Sequence, residues 1–367
     1  MNSAPPLPAE DLAHILERTG GIWEDLRGAS LFITGASGFV GIWLLESLLH
    51  ADDVHDLGVR IVALSRSPER FNRRYPHLMD HPSLELHTGD MADFTSPDGV
   101  FTHVIHAATT PYPLASGVSP RAVFEHDLAG TCRVLELARE KRIRRLLFTS
   151  SGAVYGRQPP ELSHIPEEFP GAPSTLDVGS GYGQAKRASE FLCLTSGLEY
   201  GFDVVIARLF AFTGPHLPLD SIFAVGNFVR DALCGGPIVI QGDGTPCRSY
   251  LYAADMAVWL WGLLLRGRAG EAYNVGSHDA LSILDLARMV AHAVGGGCAV
   301  RLAGRPDDRA RPLRYIPNVG KIGRELGYHA RIDVRDGISR FLEWQADALA
   351  FRRVDKRSAS TEPLKSV

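Results

Sequence analysis

The chain has 367 residues, of which 45% are hydrophobic and 22% are charged, and its formal net charge is −4. This composition is typical of a globular protein with a full core. The slightly acidic net charge excludes a nucleic-acid-binding surface. The lack of an apolar run of roughly 18 residues excludes a membrane span. The five cysteines are dispersed without a CxxC pair and no secretory signal pattern opens the sequence, so we expect a cytoplasmic protein with reduced thiols and no metal site.

The order of predicted elements indicates an α/β fold built on a doubly wound parallel sheet. Residues 1–28 are predicted to form an N-terminal helical extension, because apolar residues recur at helical spacing in DLAHILERT before a Gly-Gly pair. Between 29 and 212 short apolar strands alternate with helices, which predicts a dinucleotide-binding Rossmann domain. The Pro- and Gly-rich texture of 213–350 predicts a smaller mixed α/β substrate-binding lobe, interleaved with elements that return to the Rossmann domain. The polar residues 351–367 are predicted to be a disordered tail.

Three glycines follow the first strand in LFITGASGFVG, at GxxGxxG spacing between a strand and an amphipathic helix. Such a turn brings the backbone close to a pyrophosphate and directs the N–H groups of the helix N-terminus toward it. The strand–turn–helix context is the one in which this spacing indicates nucleotide binding. We therefore predict that a dinucleotide binds to Gly35, Ser37, Gly38, Phe39, Val40 and Gly41.

The end of the second strand, ALSRSPERF, bears on which dinucleotide binds. An NAD site usually carries an acid there for the ribose hydroxyls, whereas an arginine accommodates a 2′-phosphate. Ser65 and Arg66 stand at this point, so NADP(H) is favoured and NAD(H) is possible; the alternative is a solvated Arg66 without a role. The later strand ends GDMAD and HAATT complete the predicted cofactor site with Asp90, Met91, Ala107 and Ala108.

The segment YGQAK places Tyr182 and Lys186 four residues apart, on one face of a predicted helix. A phenol is a poor base at neutral pH because its pKa is about 10, and a lysine ammonium one turn away lowers that value. Tyr182 could then exchange a proton with a sugar or alcohol hydroxyl while hydride moves to or from the cofactor. The strand RRLLF runs into TSSGAVYG, whose adjacent serines Ser150 and Ser151 either carry chemistry or terminate the strand.

Together these motifs resemble the extended short-chain dehydrogenase/reductase superfamily, in particular its NAD(P)-dependent nucleotide-sugar epimerase/dehydratase branch. The similar segments are TGASGFVG, GDMAD, HAA, SSGAVYG, YGQAK and GDGTPCRSYLYAADMA. The resemblance implies a catalytic group of Ser151, Tyr182 and Lys186, in which Ser151 hydrogen-bonds the substrate while Tyr182 and Lys186 also contact the cofactor. It implies that the C-terminal lobe binds a nucleotide-sugar, with Arg248 as a ligand of the diphosphate. The implied substrate-binding residues are Ser151, Asn227, Arg248 and Arg314.

Departures from the family pattern narrow the range of reactions that we expect. Dehydratases of this branch carry an Asp-Glu pair immediately after the catalytic Ser/Thr, whereas this chain has Gly152 and Ala153. Neither side chain can transfer a proton, so dehydration is disfavoured. Asp127 replaces the Asn of the family's NxxGT motif, and Ala211 replaces an Asn after a later strand, so the usual sugar contacts are altered.

We therefore predict an NAD(P)-dependent oxidoreductase that acts on a nucleotide-diphosphate sugar, as a C4 epimerase or a 4-ketoreductase. The alternatives are a nucleotide-sugar 4,6-dehydratase and a non-catalytic dinucleotide-binding sensor. Relatives in this branch often pair through two long helices, here roughly residues 120–140 and 182–200, which predicts a homodimer. The expected partners are the nucleotide-sugar substrate and a second copy of the chain, with no nucleic acid and no membrane.

Overall fold

The structure is a computed structural model that describes residues 3–110, 117–295, 297–305 and 312–359. Its largest element is a parallel sheet of seven strands, numbered along the chain. They are β1 (Ser30–Thr34), β2 (Arg60–Ser65), β3 (Leu84–Thr88), β4 (His103–His106), β5 (Arg145–Ser151), β6 (Asp203–Leu209) and β11 (Glu271–Val275). Their spatial order is β3-β2-β1-β4-β5-β6-β11, and all neighbours are parallel. This is the doubly wound arrangement that the sequence predicted.

Helices cover both faces of this sheet. The helices are α1 (Ala9–Thr19), α2 (Phe39–His55), α3 (Pro68–Arg74), α4 (Pro120–Lys141), α5 (Gly181–Tyr200), α6 (Ala224–Leu233), α7 (Ala253–Arg266), α8 (Ile283–Ala293), α9 (Gly320–Leu326) and α10 (Val334–Ala359). Along β1, Leu31 and Ile33 belong to the core under α2 and α7, whereas Phe32 belongs to the core under α4 and α5. Because side chains alternate along a strand and both faces are covered, β1 is apolar at successive positions.

The order of the strands places a ligand crevice at the carboxyl ends of the strands of this sheet. From β1 the chain builds β2 and β3 on one side, and then crosses back to build β4, β5 and β6 on the other. In doubly wound sheets, ligands bind outside the carboxyl ends of the strands at the point where the order reverses. Here that point lies between β1 and β4.

Among its described residues, the C-terminal lobe contains three small sheets that lie outside the large one. Strand β7 (Phe212–Thr213) pairs with β10 (Leu251–Tyr252), and β8 (Ile238–Ile240) pairs with β13 (Val300–Leu302). The third sheet places β9 (Cys247–Arg248) between β12 (Leu281–Ser282) and β14 (Arg314–Tyr315). A core formed mainly by α6, α8 and α10 supports this lobe. Helix α7 and strand β11 return to the large sheet, so the lobe and the Rossmann domain share elements.

The N-terminal extension packs against the main body. Helix α1 contacts α2 and α7, and its buried Asp11 accepts hydrogen bonds from Tyr252 at 2.6 Å and from Arg340 at 2.9 Å. His14 lies 2.9 Å from Asp255, whose other oxygen accepts from backbone N–H groups near the start of α10. The extension therefore ties α7 to the C-terminal helix.

Helix α10 extends further than the sequence indicated. It reaches Ala359, so residues 351–359, which were expected to belong to a disordered tail, continue the helix. The segment FRRVDKRSA contains neither Gly nor Pro and is rich in residues that favour a helix. Residues 360–367 lie outside the described part of the chain. Among the described helices, none is long and apolar enough to cross a membrane.

Candidate active site

The turn between β1 and α2 has the geometry of a phosphate-binding loop. Gly35 has a φ of 75°, and a Cβ there would lie 2.6 Å from the backbone of Ala107 and Ala108 at the end of β4. A Cβ on Gly41 would collide with the Gly35 carbonyl oxygen, so the helix packs closely on the strand only with glycine at this position. A Cβ on Gly38 would meet only that same oxygen, at 3.2 Å, which leaves its other side open.

The first turn of α2 offers N–H groups to an anion. Its N-cap residue is Gly38, which has no side chain to cap the helix, so the N–H groups of the first helical residues, Phe39, Val40 and Gly41, need another acceptor. The helix dipole favours negative charge at the same point. The Ser37 carbonyl oxygen accepts a hydrogen bond from the Tyr75 hydroxyl at 3.3 Å, which fixes the loop from its outer side. The loop therefore fits a dinucleotide pyrophosphate.

A buried polar chain holds the ends of β1 and β4 beside this loop. Thr34 Oγ1 lies 2.7 Å from His106 Nδ1 and accepts a hydrogen bond from the Ala108 N–H at 3.1 Å. On its other side, His106 Nε2 lies 3.3 Å from Thr131 Oγ1 of α4. Burial lowers the pKa of His106 to about 3, so the imidazole stays neutral and joins the two hydroxyls with one donor and one acceptor.

The ends of β2 and β3 form the part of the crevice to which the sequence assigned Arg66, Asp90 and Met91 as cofactor-binding residues. Arg66 is largely exposed, and its guanidinium lies 3.9 Å from an Asp90 carboxylate oxygen. The other Asp90 oxygen lies 2.6 Å from His126 Nε2 and accepts from the Ala92 N–H at 3.0 Å. Partial burial works to raise the pKa of Asp90, but these hydrogen bonds hold it below its ordinary value. Strand β2 ends in Ser65, with no carboxylate directly after it.

The loop after β4 is clamped to helix α4. Asp127 accepts hydrogen bonds from the Thr109 hydroxyl at 2.6 Å and from the Thr110 N–H at 2.7 Å. The carboxylate that replaces the family Asn therefore holds the loop that follows Ala107 and Ala108. The Met91 side chain is buried against Gly130 of the same helix, so a ligand here would meet the backbone of Met91 rather than its side chain.

The two serines at the end of β5 make different contacts. The Ser150 hydroxyl donates to Glu190 of α5 at 2.5 Å, and Glu190 forms a two-point ion pair with Arg208, with distances of 3.0 and 2.8 Å. The Ser151 side chain points to the opposite face of the sheet from that of Ser150, because side chains alternate along a strand. Its hydroxyl accepts a hydrogen bond from the Ala153 N–H at 3.1 Å. Ser150 therefore anchors the strand end, and Ser151 faces the site.

Helix α5 carries Tyr182 and Lys186 beside this strand end. The Lys186 ammonium donates to the Thr149 carbonyl oxygen at 3.0 Å and lies 5.8 Å from the centre of the Tyr182 ring. Gly183 permits the close approach, because a Cβ there would lie 2.8 Å from the Ala153 carbonyl oxygen. Burial lowers the pKa of Lys186. The structure thus gathers the three predicted catalytic residues around the end of β5.

Tyr315 of the C-terminal lobe lies close to the end of β5, although the sequence alone assigned it no role. Its ring centre lies 4.6 Å from that of Phe210. A Cβ on Gly152 would lie 2.6 Å from the Tyr315 hydroxyl oxygen and 2.7 Å from Phe210 Cζ. The ring and hydroxyl therefore occupy the space that a side chain at position 152 would need. In the sequence, Tyr315 directly follows Arg314 in the segment RYIPN, and the family resemblance pointed only to Arg314.

The residues predicted to bind the substrate are not all brought together. The Arg248 guanidinium lies 5.6 Å from the centre of the Tyr315 ring, next to the Ser151 end of the site. Strand β14 pairs with β9 so that Tyr315 stands beside Arg248, which places the preceding Arg314 on the other face of this small sheet. Asn227 lies on α6, where its side-chain amide donates to a nearby backbone carbonyl at 2.8 Å.

Comparison with known proteins agrees with this geometry. The model of the NAD dependent epimerase/dehydratase family matches residues 31–276, which is more than half of the chain. The chain belongs to this family. It is an enzyme of the extended short-chain dehydrogenase/reductase type, and the predicted superfamily and fold class are confirmed.

Individual members of the NAD dependent epimerase/dehydratase family are similar over most of the chain. UDP-glucuronic acid decarboxylase 3 of Arabidopsis thaliana is 27% identical over 312 residues, which are 84% of this chain and 86% of that protein. The dTDP-glucose 4,6-dehydratase of Streptomyces niveus is 27% identical over 340 residues, 92% of this chain and 96% of that protein. A solved structure of dTDP-glucose 4,6-dehydratase from Streptomyces venezuelae with NAD bound has a TM-score of 0.75 and 25% identity, and covers 88% of this chain and 98% of that one.

Proposed function

We propose that this enzyme oxidises and reduces C4 of a nucleotide-diphosphate sugar, as a C4 epimerase or a 4-ketoreductase. The observation that carries the proposal is the grouping of Ser151, Tyr182 and Lys186 at the end of β5, beside the crevice between β1 and β4. A nicotinamide cofactor fits that crevice, because the loop from Gly35 to Gly41 leaves open N–H groups for its pyrophosphate. When bound, the cofactor accepts a hydride from the reacting carbon or returns one to it.

The three side chains divide the proton chemistry. The Lys186 ammonium stabilises negative charge on the neighbouring Tyr182 oxygen, so that Tyr182 takes the proton from the substrate hydroxyl. Ser151 donates a hydrogen bond to the same substrate oxygen and stabilises the charge that develops there. In the reverse direction Tyr182 returns the proton. An epimerase runs both directions on one bound sugar, whereas a ketoreductase runs only the second.

Dehydration remains disfavoured in this proposal. Removal of water from the sugar needs an acid and a base next to the serine, and Gly152 and Ala153 supply neither. The close approach of Tyr315 and Phe210 to Gly152 supports this reading, since it leaves no space for a carboxylate at that position.

Decarboxylation of UDP-glucuronic acid is a second candidate, favoured by the similarity to the Arabidopsis decarboxylase. Oxidation at C4 would place a ketone β to the sugar carboxylate. The C–C bond to the carboxylate then breaks, CO2 leaves, and the electron pair forms a C4–C5 enolate; a proton taken up at C5 and the return of the hydride to C4 would complete the reaction. The bond cleavage needs no base at position 152 or 153, so Gly152 and Ala153 do not disfavour this reaction.

We propose NADP(H) as the preferred cofactor, with NAD(H) as the alternative that the family name favours. The proposal rests on Arg66, whose exposed guanidinium follows the end of β2, and on the lack of an acid directly after Ser65. A 2′-phosphate could replace Asp90 as the partner of Arg66.

We also propose that two copies of the chain pair through α4 and α5, which pack against each other. Phe191 and Leu198 lie seven residues apart on one face of α5, and their exposed fractions are 66% and 90%. A second copy would cover this apolar face. Leu198→Glu is expected to give a monomer in sedimentation equilibrium, and a monomeric wild-type chain would contradict the proposal.

The central test offers UDP-glucose, UDP-galactose, UDP-glucuronic acid, dTDP-glucose and 4-keto sugars to the enzyme with both cofactors, and identifies products by mass spectrometry and NMR. An epimer with retained oxidised cofactor indicates an epimerase, whereas reduction of a 4-keto sugar with exchange of the cofactor indicates a reductase. Loss of CO2 or of water would instead identify a decarboxylase or a dehydratase. Tyr182→Phe should abolish most turnover and preserve cofactor affinity, and Tyr200→Phe, at the exposed end of the same helix, is the matched control. Cofactor binding without turnover of any sugar would leave a sensor and overturn the proposal.

A further inference from the structure

His126 joins the ends of two strands at the cofactor crevice, although the sequence alone assigned it no role. It lies on α4, with its Nε2 atom 2.6 Å from the Asp90 carboxylate that follows β3 and its Nδ1 atom 2.8 Å from the Thr110 hydroxyl oxygen that follows β4. Both neighbours can accept a hydrogen bond, so the arrangement fits the imidazolium form, in which both ring nitrogens donate. The distance of 2.6 Å lies at the short end for such bonds, as expected between charged partners.

Asp90 stands between two cations. One carboxylate oxygen accepts from the Ala92 N–H at 3.0 Å and from His126, and the other lies 3.9 Å from the Arg66 guanidinium, beyond hydrogen-bond distance. Partial burial works to raise the pKa of Asp90, but its bonds with Ala92 and His126 keep it below the ordinary value, so the carboxylate is ionised at neutral pH. His126 is therefore the closer of its two cationic partners, and the Arg66 side chain remains 72% exposed.

We propose that His126 is a cofactor-specificity residue, which binds the Asp90 carboxylate and so leaves the Arg66 guanidinium available to the 2′-phosphate of NADP(H). The inference rests on the NADP(H) preference proposed above. A 2′-phosphate carries roughly two negative charges at neutral pH, so it competes with Asp90 for Arg66 and is repelled by that carboxylate. NAD(H) has a neutral 2′-hydroxyl at this point and is not subject to the same repulsion.

The His126 ring is oriented from the side opposite Asp90. The adjacent residue, Asp127, accepts hydrogen bonds from the Thr109 hydroxyl at 2.6 Å and from the Thr110 N–H at 2.7 Å, which holds this loop against α4. The Thr110 hydroxyl then stands at the Nδ1 atom of His126 and directs the Nε2 atom toward Asp90.

Helix α4 also holds the segment after β3 through contacts that do not involve His126. Arg133 donates to the Phe94 carbonyl oxygen at 2.7 Å, and the Met91 side chain is buried against the same helix. Loss of the His126 imidazole therefore leaves Asp90 in place and removes only a partner of its carboxylate.

The test is a double-mutant cycle of His126→Leu and Asp90→Asn in the full chain, with the affinities for NADPH and NADH measured by calorimetry. His126→Leu removes both donors. It should weaken the binding of NADPH about tenfold, the effect of one uncompensated charge near the phosphate, and that of NADH less than about twofold. In the Asp90→Asn background the same change should weaken NADPH less than about twofold, because no carboxylate is left to be neutralised.

Two further variants serve as controls. His292→Leu removes an imidazole from the exposed end of α8 and should change neither affinity. His126→Gln keeps a neutral donor and should weaken NADPH less than His126→Leu does; it takes the place of His126→Leu in the cycle if that variant does not fold. The melting temperature of each variant shows whether it folds.

The outcomes separate this inference from the proposed function. A purely structural role of His126 would weaken both cofactors alike and would not depend on Asp90. Equal weakening of NADPH and NADH, unchanged NADPH affinity in His126→Leu, or the same loss in the Asp90→Asn background would therefore overturn the inference and leave the proposed function standing.

The wild type tests the cofactor preference itself. If it binds NADH more tightly than NADPH, the proposed preference fails, and the ratio of the two affinities decides the inference. A ratio of NADPH to NADH affinity that still falls in His126→Leu supports it, and an unchanged ratio overturns it. A wild type that binds neither cofactor would refute both.

Discussion

The Lys186 ammonium donates its 3.0 Å hydrogen bond to the carbonyl oxygen of Thr149, two residues before Ser151. This contact joins the helix that carries Tyr182 to the strand that carries the serine, so the relative position of the two depends on a buried charge. In Lys186→Met the apolar stem remains while the charge and the hydrogen bond are lost. We expect turnover to fall at least about 100-fold, since proton transfer by Tyr182 loses its neighbouring cation.

The same variant should not be less stable, because exchange of a buried charge for an apolar side chain of similar volume is often neutral or stabilising. Lys141→Met, at the end of α4, is the matched control and should change neither turnover nor cofactor affinity. Turnover and chemical denaturation are measured together. Wild-type turnover in Lys186→Met would remove Lys186 from the proposed mechanism.

Arg66→Ala should change the preference between cofactors. If the guanidinium binds a 2′-phosphate, the affinity for NADPH falls about tenfold or more while that for NADH changes little, because a charge-assisted hydrogen bond contributes roughly 1.5–3 kcal/mol. Fluorescence titration with NADPH and with NADH measures the two affinities. Arg73→Ala, on the exposed side of α3, is the control. Tighter binding of NADH than of NADPH by the wild type would show that the preference is for NAD.

Gly152→Ala should destabilise the fold. The added Cβ would lie 2.6 Å from the Tyr315 hydroxyl oxygen and 2.7 Å from Phe210 Cζ, so two packed rings must move. Overpacking of this kind typically costs about 1–3 kcal/mol of the free energy of unfolding. Gly21→Ala is the control, since a Cβ at Gly21 would meet nothing within 4 Å. Urea denaturation of both variants decides the point, and equal stability of Gly152→Ala and wild type would show that the two rings do not pack tightly against position 152.

The sequence predicted those parts of the site that depend on local chain geometry. Gly35 and Gly41 are required by a positive φ and by close backbone contacts, and Tyr182 and Lys186 share a helix face, so their spacing is readable. Tyr315 could not be found in this way. It belongs to a two-residue strand with no periodic pattern, and the pairing of β14 with β9 brings it beside Arg248, with its hydroxyl close to Gly152.

Register also separates the two candidate arginines. Both Arg248 and Arg314 are cations in the lobe, and nothing in the local sequence tells on which face of a small sheet each lies. The pairing of Tyr315 with Arg248 places Arg248 at the site and Arg314 on the opposite face. The length of α10 was missed for a different reason: its polar last turns lack the apolar periodicity from which the other helices were predicted.

The buried histidines of β4 should make stability depend on pH. Burial lowers the pKa of His103 to about 4 and that of His106 to about 3, so both are neutral in the folded chain above those values. The unfolded chain binds protons at these histidines below about pH 6.5. Between these limits the unfolded state holds more protons, so the free energy of unfolding falls as the pH falls.

His103→Gln tests this at a position remote from the site, since His103 begins β4 and the crevice lies at its other end. From pH 7 to pH 5 the free energy of unfolding of the variant should fall by about 2 kcal/mol less than that of wild type. This follows from the difference between the pKa of His103 in the folded chain, about 4, and in the unfolded chain, about 6.5. His292→Gln, at the exposed end of α8, should follow the wild-type curve. Parallel pH curves for His103→Gln and wild type would show that His103 is not buried as a neutral side chain.

Asp11→Ala should reveal how far the N-terminal extension stabilises the fold. Asp11 is fully buried, and its carboxylate accepts hydrogen bonds from the Tyr252 hydroxyl at 2.6 Å and from Arg340 at 2.9 Å. Removal of one partner of a buried ion pair leaves the other charge uncompensated and typically costs about 3–5 kcal/mol. Because Arg340 keeps part of its contact with water and with Asp336, we expect a loss near the lower end, about 3 kcal/mol.

Urea denaturation measures this loss, and Glu17→Ala, on the exposed side of the same helix, is the control, with an expected change of no more than about 0.5 kcal/mol. The extension packs on the face of the sheet that carries α2 and α7, opposite the helix that holds Tyr182. Cofactor affinity and turnover of folded Asp11→Ala should therefore equal those of wild type. A variant that kept full stability would show that α1 is docked by its apolar residues alone, and one that lost turnover while folded would place the extension in contact with the site.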